Sequence, residues 1–543
     1  EDNFVSLGHM RLSIIDLSQQ AREPLTNEDG SIQLIFNGEI YNFEALRKIL
    51  ESCGHRFLSN TDAEVVVHAY EEFGDGFIKR LNGMFAFCIW DRKNKKLLLA
   101  RDRIGIKPLY YAKTKDRFLF ASEAKSILKD DNIDRRVSRQ GFGVYMAFQC
   151  IPGDFTMFDA IKKVPPAHTL TLKDGIITLN KYWELERTDI NIKKDYVEKI
   201  KDLLTDSVRL RLISDVPLGV LLSGGLDSSI LTALAARSRG EPVQTFSVGF
   251  GQASDELPYA KIVAEKFKTK HHELIIKPES IEDMLSEIVW HMDEPLADGG
   301  AIATYFACRA LKSKVKVVLV GEGSDEIFGG YSWHRLSCGP FNLLPYQLKK
   351  RIYFYLTTFY KGGDCTIFDN FSRAFENFLS LDSQDNLFEK MSQFEVKHIL
   401  PNSLLMKVDK MTMAHSIEAR VPFLDHRIVE YMYNLSHALG PGEIVGKKII
   451  RKCFGSILPQ EVLRRKKHGF ILPVNKWLFS DIKDFVRDVL MNKRKFFPVE
   501  IKNQEIEKLL VPKKHPLGAI VNTAKLWRLL IFQLWGEKFL KNG

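Results

Sequence analysis

The sequence predicts a two-part chain. An α+β sandwich is expected over residues 1–185, then an α/β domain with a parallel sheet and a helical C-terminal part over residues 195–543. Three observations carry that prediction. The first third alternates short β-branched and aromatic runs with two helical stretches. Near residue 195 the pattern changes to strand, Gly-rich turn and helix. Beyond Gly330 the spacing is mostly helical and rich in Phe and Tyr. A chain of 543 residues also exceeds one ordinary core.

The elements follow in order. Ile32–Phe36 is a short strand run, and Phe43–Leu50 and Ala63–Phe73 have helical spacing. Met84–Trp90 and Lys96–Ala100 read as strands joined by the turn Asp91–Asn94, and Phe118–Ala121 continues the pattern. The polar stretch Glu184–Lys194 reads as a linker. Val216–Leu222, Val243–Val248 and Val315–Val320 read as strands of a parallel sheet with helices on both faces. The first of them runs through a glycine turn into the helical stretch Ile230–Ala236. There is no internal repeat and no low-complexity tract.

Composition narrows the partners. Hydrophobic content of 45% and charged content of 27% describe a globular chain. No apolar run is long enough to cross a bilayer, and no signal peptide is visible. The net charge of +10 is spread along the chain, with short clusters at Arg464–Lys467 and Lys513–Lys514. That distribution suits small anionic substrates better than nucleic acid. Seven scattered Cys with no C-x-x-C pair argue against a zinc site or a disulfide scaffold and for a reduced cytoplasm.

The run Ser223-Gly224-Gly225-Leu226-Asp227-Ser228-Ser229 is the most informative local feature. Small residues between a strand and a helix N-terminus let backbone N–H groups approach phosphate. Asp227 adds a carboxylate suited to Mg²⁺ on those phosphates. No Gly-Lys-Ser/Thr follows, so this is not the Walker loop. The run resembles the loop of enzymes that split ATP into AMP and pyrophosphate. A second glycine-acid run, Gly321-Glu322-Gly323-Ser324-Asp325-Glu326, follows another buried strand. Asp227 and Asp325 could grip one Mg²⁺, with Glu322 nearer an acceptor; the bland alternative is a solvated acidic turn. Arg464–Lys467 is the best cationic candidate for charge developing on phosphate, against a solvated basic face.

Together the motifs resemble the glutamine-dependent asparagine synthetases over nearly the whole length. The second half carries SGGLDSS (223–229), GEGSDEIFGGY (321–331), SIEARVPFLD (416–425) and RKKHGF (465–470). The first half carries GHMRLSIIDLS (8–18), FNGEIYN (36–42), NTDAEV (60–65), GMFAFCIWD (83–91) and RDRIGIKPLYY (101–111). The resemblance implies an N-terminal-nucleophile glutaminase sandwich feeding ammonia to an ATP-pyrophosphatase domain.

The site residues follow from that resemblance. Arg11 would hold the glutamine α-carboxylate, within the binding segment Arg11, Leu12, Ser13, Ile14 and Ile15. Glu39 and Asp62 would take the α-ammonium. The Asn37 side chain and the Gly38 N–H would form an oxyanion hole, although Asn-Gly also marks hairpin turns. Leu222, Ser223, Gly224, Gly225, Asp227, Ser228, Val248, Val320 and Gly321 would bind ATP, with Asp227 and Asp325 on Mg²⁺. Glu322 would serve formation of β-aspartyl-AMP and Lys467 would be the catalytic lysine. Asp298 is a weaker aspartate-pocket candidate.

Two departures stand against the pattern. Val320 replaces the family's usual Ser. The family's mature N-terminal Cys, with its strand, is not seen ahead of Glu1, so the first domain is expected to be incomplete and unable to hydrolyse glutamine by itself. Cys53 and Cys88 read as core residues instead. The expected partners are aspartate, glutamine or ammonia, ATP and Mg²⁺, with neither nucleic acid nor membrane; a homodimer is left open. The rival readings are a relative adenylating another acid, such as a cyclase, and a non-catalytic glutamine- or nucleotide-binding protein.

Overall fold

A computed structural model describes residues 4–188, 195–249, 256–275, 281–358, 385–465, 474–493, 495–513 and 515–540. The first domain is built on a six-stranded antiparallel sheet in the order β1-β2-β3-β4-β8-β9. These strands are β1 (Leu25–Thr26), β2 (Ile32–Ile40), β3 (Gly83–Asp91), β4 (Lys96–Arg101), β8 (His168–Lys173) and β9 (Ile176–Lys181). A smaller antiparallel sheet, β6-β5-β7, is formed by β5 (Tyr110–Lys113), β6 (Phe118–Ala121) and β7 (Lys162–Lys163).

Strand alternation decides the layers, because successive side chains point to opposite faces. Phe85, Phe87 and Ile89 of β3 join the core under helices α1 (Phe43–Ser52) and α2 (Glu64–Phe73). Ala86, Cys88 and Trp90 face the other way and pack with Leu109, Tyr111 and Val164 of the small sheet's side. The result is the α+β sandwich the pattern predicts. β2 runs unbroken through Asn37-Gly38, paired with Ala86 and Phe85, so the hairpin alternative for that dipeptide is overturned. Cys88 is buried, but Cys53 caps α1 in an exposed position and is not a core residue.

The second domain holds five parallel strands in the order β12-β11-β10-β13-β14. They are β10 (Leu218–Leu221), β11 (Gln244–Gly249), β12 (Lys270–Ile275), β13 (Val317–Leu319) and β14 (Glu418–Arg420). α3 (Tyr196–Arg211) precedes the sheet, and α4 (Leu226–Ser238) and α5 (Leu257–Lys266) connect its strands. α6 (Gly300–Leu311) leads to β13, and α7 (Ser324–Ile327) follows it. The region beyond Gly330 is mostly helical, as expected, and β14 is the strand within it. Three residues are too few for a periodicity to register, yet they close the sheet's edge beside β13.

The helical part includes α8 (Leu404–Met413) and the long α9 (Pro516–Phe539). α9 packs on the first domain as well as its own: Phe532 meets Phe142 edge-on at 4.7 Å, and the Tyr145 hydroxyl donates to the Arg528 carbonyl at 2.8 Å. One apolar core runs from Leu34 and Phe87 to Val220 and Val318. A second joins Tyr110 and Phe142 to Trp535. The two domains therefore share their cores. The predicted linker is partly structured, since the Thr188 N–H donates to Asn434 Oδ1 at 2.8 Å; residues 189–194 lie outside the described residues. Among the described residues, no helix is long and apolar enough to cross a membrane.

Candidate functional site

The phosphate-type loop sits where the parallel sheet predicts, at the carboxyl end of β10. Gly224 adopts φ +70°, and a Cβ there would lie 2.6 Å from the Ala260 nitrogen, so only glycine fits between loop and α5. The Ser223 and Ser228 hydroxyls meet at 3.1 Å, and the Ser223 Oγ accepts the Gly225 N–H at 3.3 Å. This folds the loop back over the first turn of α4. Leu222 is buried and its N–H donates to Phe246 O at 2.8 Å, which sets it beside β11 and Val248.

The second acidic loop is tied to the first. Ser324 Oγ donates to Asp227 Oδ1 at 2.8 Å. Gly321 packs against Asp227, with 3.1 Å from a would-be Cβ to the Asp227 Cβ. Val320 is buried, and its N–H donates to the Arg420 carbonyl at 3.0 Å.

Asp227 and Asp325 do converge, as their proposed shared role requires. The group between them is Lys447, whose Nζ lies 2.6 Å from Asp227 Oδ2 and 2.8 Å from Asp325 Oδ1. Burial works against the lysine's charge, but the two carboxylates outweigh it and raise its pKa. Two convergent hard oxygens fit Mg²⁺, which takes one or two carboxylates plus substrate phosphates. Lys447 was missed in the sequence because its only local signal is a glycine ahead of a basic pair, Gly446-Lys447-Lys448. Lys467 lies outside the described residues. Its neighbour Arg465 pairs with Glu256 and stacks 4.4 Å over Tyr259.

A third pair stands next to these loops. Lys407 Nζ on α8 lies 2.8 Å from Asp298 Oδ2, whose other oxygen accepts the Gly300 N–H at 2.8 Å. Burial tends to raise the Asp298 pKa, but Lys407 and that N–H bring it below the usual value. Lys407 also acts on Glu322, whose carboxyl is pushed up chiefly by burial.

In the first domain β2 carries Asn37, Gly38 and Glu39 in consecutive positions. Asn37 Nδ2 donates to Ser122 Oγ at 3.2 Å. Gly38 has φ +151°, and a Cβ would meet the Met84 oxygen at 2.0 Å, so the strand approaches its partner more closely than any other residue allows. Asp62 is drawn to the same strand end, accepting the Ile40 N–H at 2.7 Å; burial lifts its pKa to about 6. Arg11 is wrapped by its own loop: it donates to Ser13 Oγ at 3.1 Å, Ile15 O at 2.7 Å and Asp16 O at 3.0 Å. Ile14 and Ile15 are buried, while Leu12 and Ser13 are half-buried.

The Glu39 carboxylate lies at the domain boundary. It lies 2.9 Å from the Arg420 guanidinium, and both side chains are buried. Arg420 also donates to Glu418 Oε1 at 2.9 Å. Lys107 continues the line, 3.9 Å from Glu418 and 3.0 Å from Asp409 on α8. Buried charges of alternating sign thus run from the β2 end to the helix that carries Lys407. Neither Arg420 nor Lys107 stands out in the sequence, because each sits among other charged residues of its motif and its partner lies far along the chain.

A sandwich that matches the glutamine amidotransferase domain over residues 1–183, joined to a nucleotide-type parallel sheet, defines the class as a two-domain amidotransferase. The profile for asparagine synthase matches residues 199–537, and the chain belongs to that family. It is 34% identical to asparagine synthetase [glutamine-hydrolyzing] 1 of Bacillus subtilis, over 98% of this chain and 90% of the relative. Asparagine synthetase 3 of the same organism is 32% identical over 94% of this chain and 87% of its own length. A putative asparagine synthetase of Methanocaldococcus jannaschii is 36% identical over 61% of this chain and 67% of its own.

Proposed function

We propose that this chain amidates aspartate to asparagine, using MgATP and ammonia drawn from glutamine. The convergence of Asp227, Asp325 and Lys447 on one point between the two glycine loops carries the reading. Residues 1–185 are the glutamine-using unit and residues 195–543 the adenylating one. Small-molecule substrates suffice for it, and a cytoplasmic homodimer belongs to the same reading.

The aspartate β-carboxylate oxygen attacks the α-phosphorus of ATP. The bond to the bridging oxygen breaks, and pyrophosphate leaves with the electron pair. Ammonia then attacks the acyl carbon, AMP leaves, and the nitrogen gives up a proton. The loops around Ser223 and Gly321 hold the nucleotide. Asp227 and Asp325 would hold Mg²⁺, which offsets phosphate charge. Lys447 supplies a fixed cation where charge grows on the leaving pyrophosphate. Asp298 and Lys407 present the opposite charges that an amino-acid zwitterion needs, with Glu322 beside them. In the first domain Arg11 and Asp62 suit the two charged ends of glutamine, and Asn37 with Gly38 suits an oxyanion.

Aspartate- and ammonium-dependent release of AMP and pyrophosphate is the expected result. Stoichiometric ADP and phosphate would overturn the reading, and equal turnover with another acid would replace the acceptor. Lys447→Met is expected to lower kcat by roughly 10²–10³ with little change in the KM for ATP. Lys467→Ala measured in parallel decides which lysine is the transition-state cation.

A further inference from the structure

A cluster in the first domain uses none of the residues assigned to glutamine or ATP. His68, on α2, is fully buried, and neither of its ring nitrogens has a hydrogen-bond partner. Its Nδ1 lies 3.5 Å from Glu28 Oε2. The other oxygen of Glu28 lies 3.4 Å from His55 Nδ1. Glu71, one helical turn beyond His68 on the same face, adds a second carboxylate. One ligand atom from each of the four residues lies within 4.8 Å of all the others.

The spacing leaves room for an ion. Charge-assisted imidazole–carboxylate hydrogen bonds close to about 2.7–2.9 Å. A tetrahedral ion with bonds near 2.0–2.1 Å sets its ligands about 3.3–3.4 Å apart. The contacts of His55 and His68 with the two oxygens of Glu28, at 3.4 and 3.5 Å, are wider than such a hydrogen bond, and the set of four, within 4.8 Å, would draw in around an ion.

The outer partners agree. His55 Nε2 is hydrogen-bonded to Glu72 at 3.3 Å, while Glu64 lies near His68 Nε2, at 3.6 Å, without bonding it. Glu64 is itself fixed, accepting the Leu58 and Ser59 N–H groups at 2.7 and 2.8 Å. At His55 this leaves Nδ1 free to face a metal, as a carboxylate on one ring nitrogen directs the other. The Arg56 N–H donates to Glu28 Oε1 at 2.8 Å, and Asn27 Nδ2 donates to Glu71 Oε2 at 3.1 Å, so both acidic ligands are oriented.

The geometry points to a divalent metal site of the zinc class formed by Glu28, His55, His68 and Glu71. Two imidazoles with two carboxylates suit zinc better than magnesium or calcium, which prefer all-oxygen shells. The scattered cysteines, which argue against a thiolate zinc site, have no part in it. The ion ties the turn after β1 and the segment after α1 to α2. That segment leads through Asn60, whose N–H donates to Asp16 Oδ2 at 2.7 Å, to Asp62. The site is structural and braces the strand-end region where Asp62 lies.

The test uses the full chain, stripped with a chelator and titrated with Co²⁺ and then Zn²⁺. One equivalent of Co²⁺ should bind with the intense visible bands of a four-coordinate ion, and Zn²⁺ should displace it. Zn²⁺ should also raise Tm, saturating at one equivalent. His55→Gln and Glu71→Gln change half-exposed or exposed side chains and should keep the fold by circular dichroism while weakening binding at least tenfold. Glu72→Gln should weaken it by roughly 10–100-fold. Absence of stoichiometric uptake overturns the site. So does uptake unchanged in both variants, a weak octahedral Co²⁺ spectrum, or a thiolate charge-transfer band.

Discussion

At the residue scale, the acidic loop separates carboxylates by burial. Asp325 faces Lys447, but Glu326, one residue on, turns inward and is buried. Tyr331 donates to its Oε1 at 2.7 Å, while Oε2 has no partner. Burial, with the Asp325 charge beside it, lifts the Glu326 pKa to about 8 from an ordinary 4.5. The folded state therefore holds a proton that the unfolded chain loses. Its stabilising effect is full below the ordinary value and is lost as pH rises through about 8. Glu326→Gln stays neutral throughout. Its Tm relative to the parent should climb between about pH 5 and about pH 8. Parallel melting curves over that interval would remove the argument.

At the element scale, the strand–loop–helix units work because glycine permits contacts that a side chain would block. Gly330 closes the acidic loop. A Cβ there would lie 1.7 Å from Asp325 Oδ1 and 2.5 Å from the Lys447 Cε. Gly330→Ala must displace the carboxylate, the lysine or both. The expected outcome is a fall in synthesis of at least tenfold with the far-ultraviolet circular dichroism spectrum and Tm nearly unchanged, since the shift falls on the site and not on the core. An unaltered kcat would mean that this Asp–Lys contact does not matter to the reaction. The departure at Val320 lies at the start of the same loop. Val320 contributes a backbone N–H to the Arg420 carbonyl, which ties the loop to β14.

At the scale of the whole molecule, Arg420 bridges the two halves, its backbone tied to one and its side chain to the other. Its carbonyl accepts the N–H that opens the acidic loop, and its side chain reaches Glu39 beside Gly38. Tyr41 lies 4.2 Å under Arg211 and 5.9 Å under Arg420, which screens the pair from water. Removing one partner of such a buried pair leaves an uncompensated charge. Arg420→Met should cost about 3–5 kcal/mol. Adding Glu39→Gln should recover part of the loss, and calorimetric melting of the single and double variants is the measurement. If the double variant is no better than the single, the Glu39 contact is not the source. Because both apolar cores cross the boundary, the two halves should melt in one transition.

Much of this protein was legible in residue order alone. The sandwich and the parallel sheet follow from hydrophobic periods of two and of about 3.6. The nucleotide loops follow from glycines whose backbone conformation is local. Those signals are short-range, so a linear reading recovers them. What tertiary structure decided lies between segments far apart in the chain. Lys447 reaches Asp227 across 220 positions, and Lys407 reaches Asp298 across 109. Glu39, chosen for a substrate ammonium, finds Arg420 instead. The metal-type cluster draws Glu28, His55 and His68 from three separate elements. Such pairings depend on which faces pack together, and a buried charge leaves no periodic trace in the sequence that announces its partner.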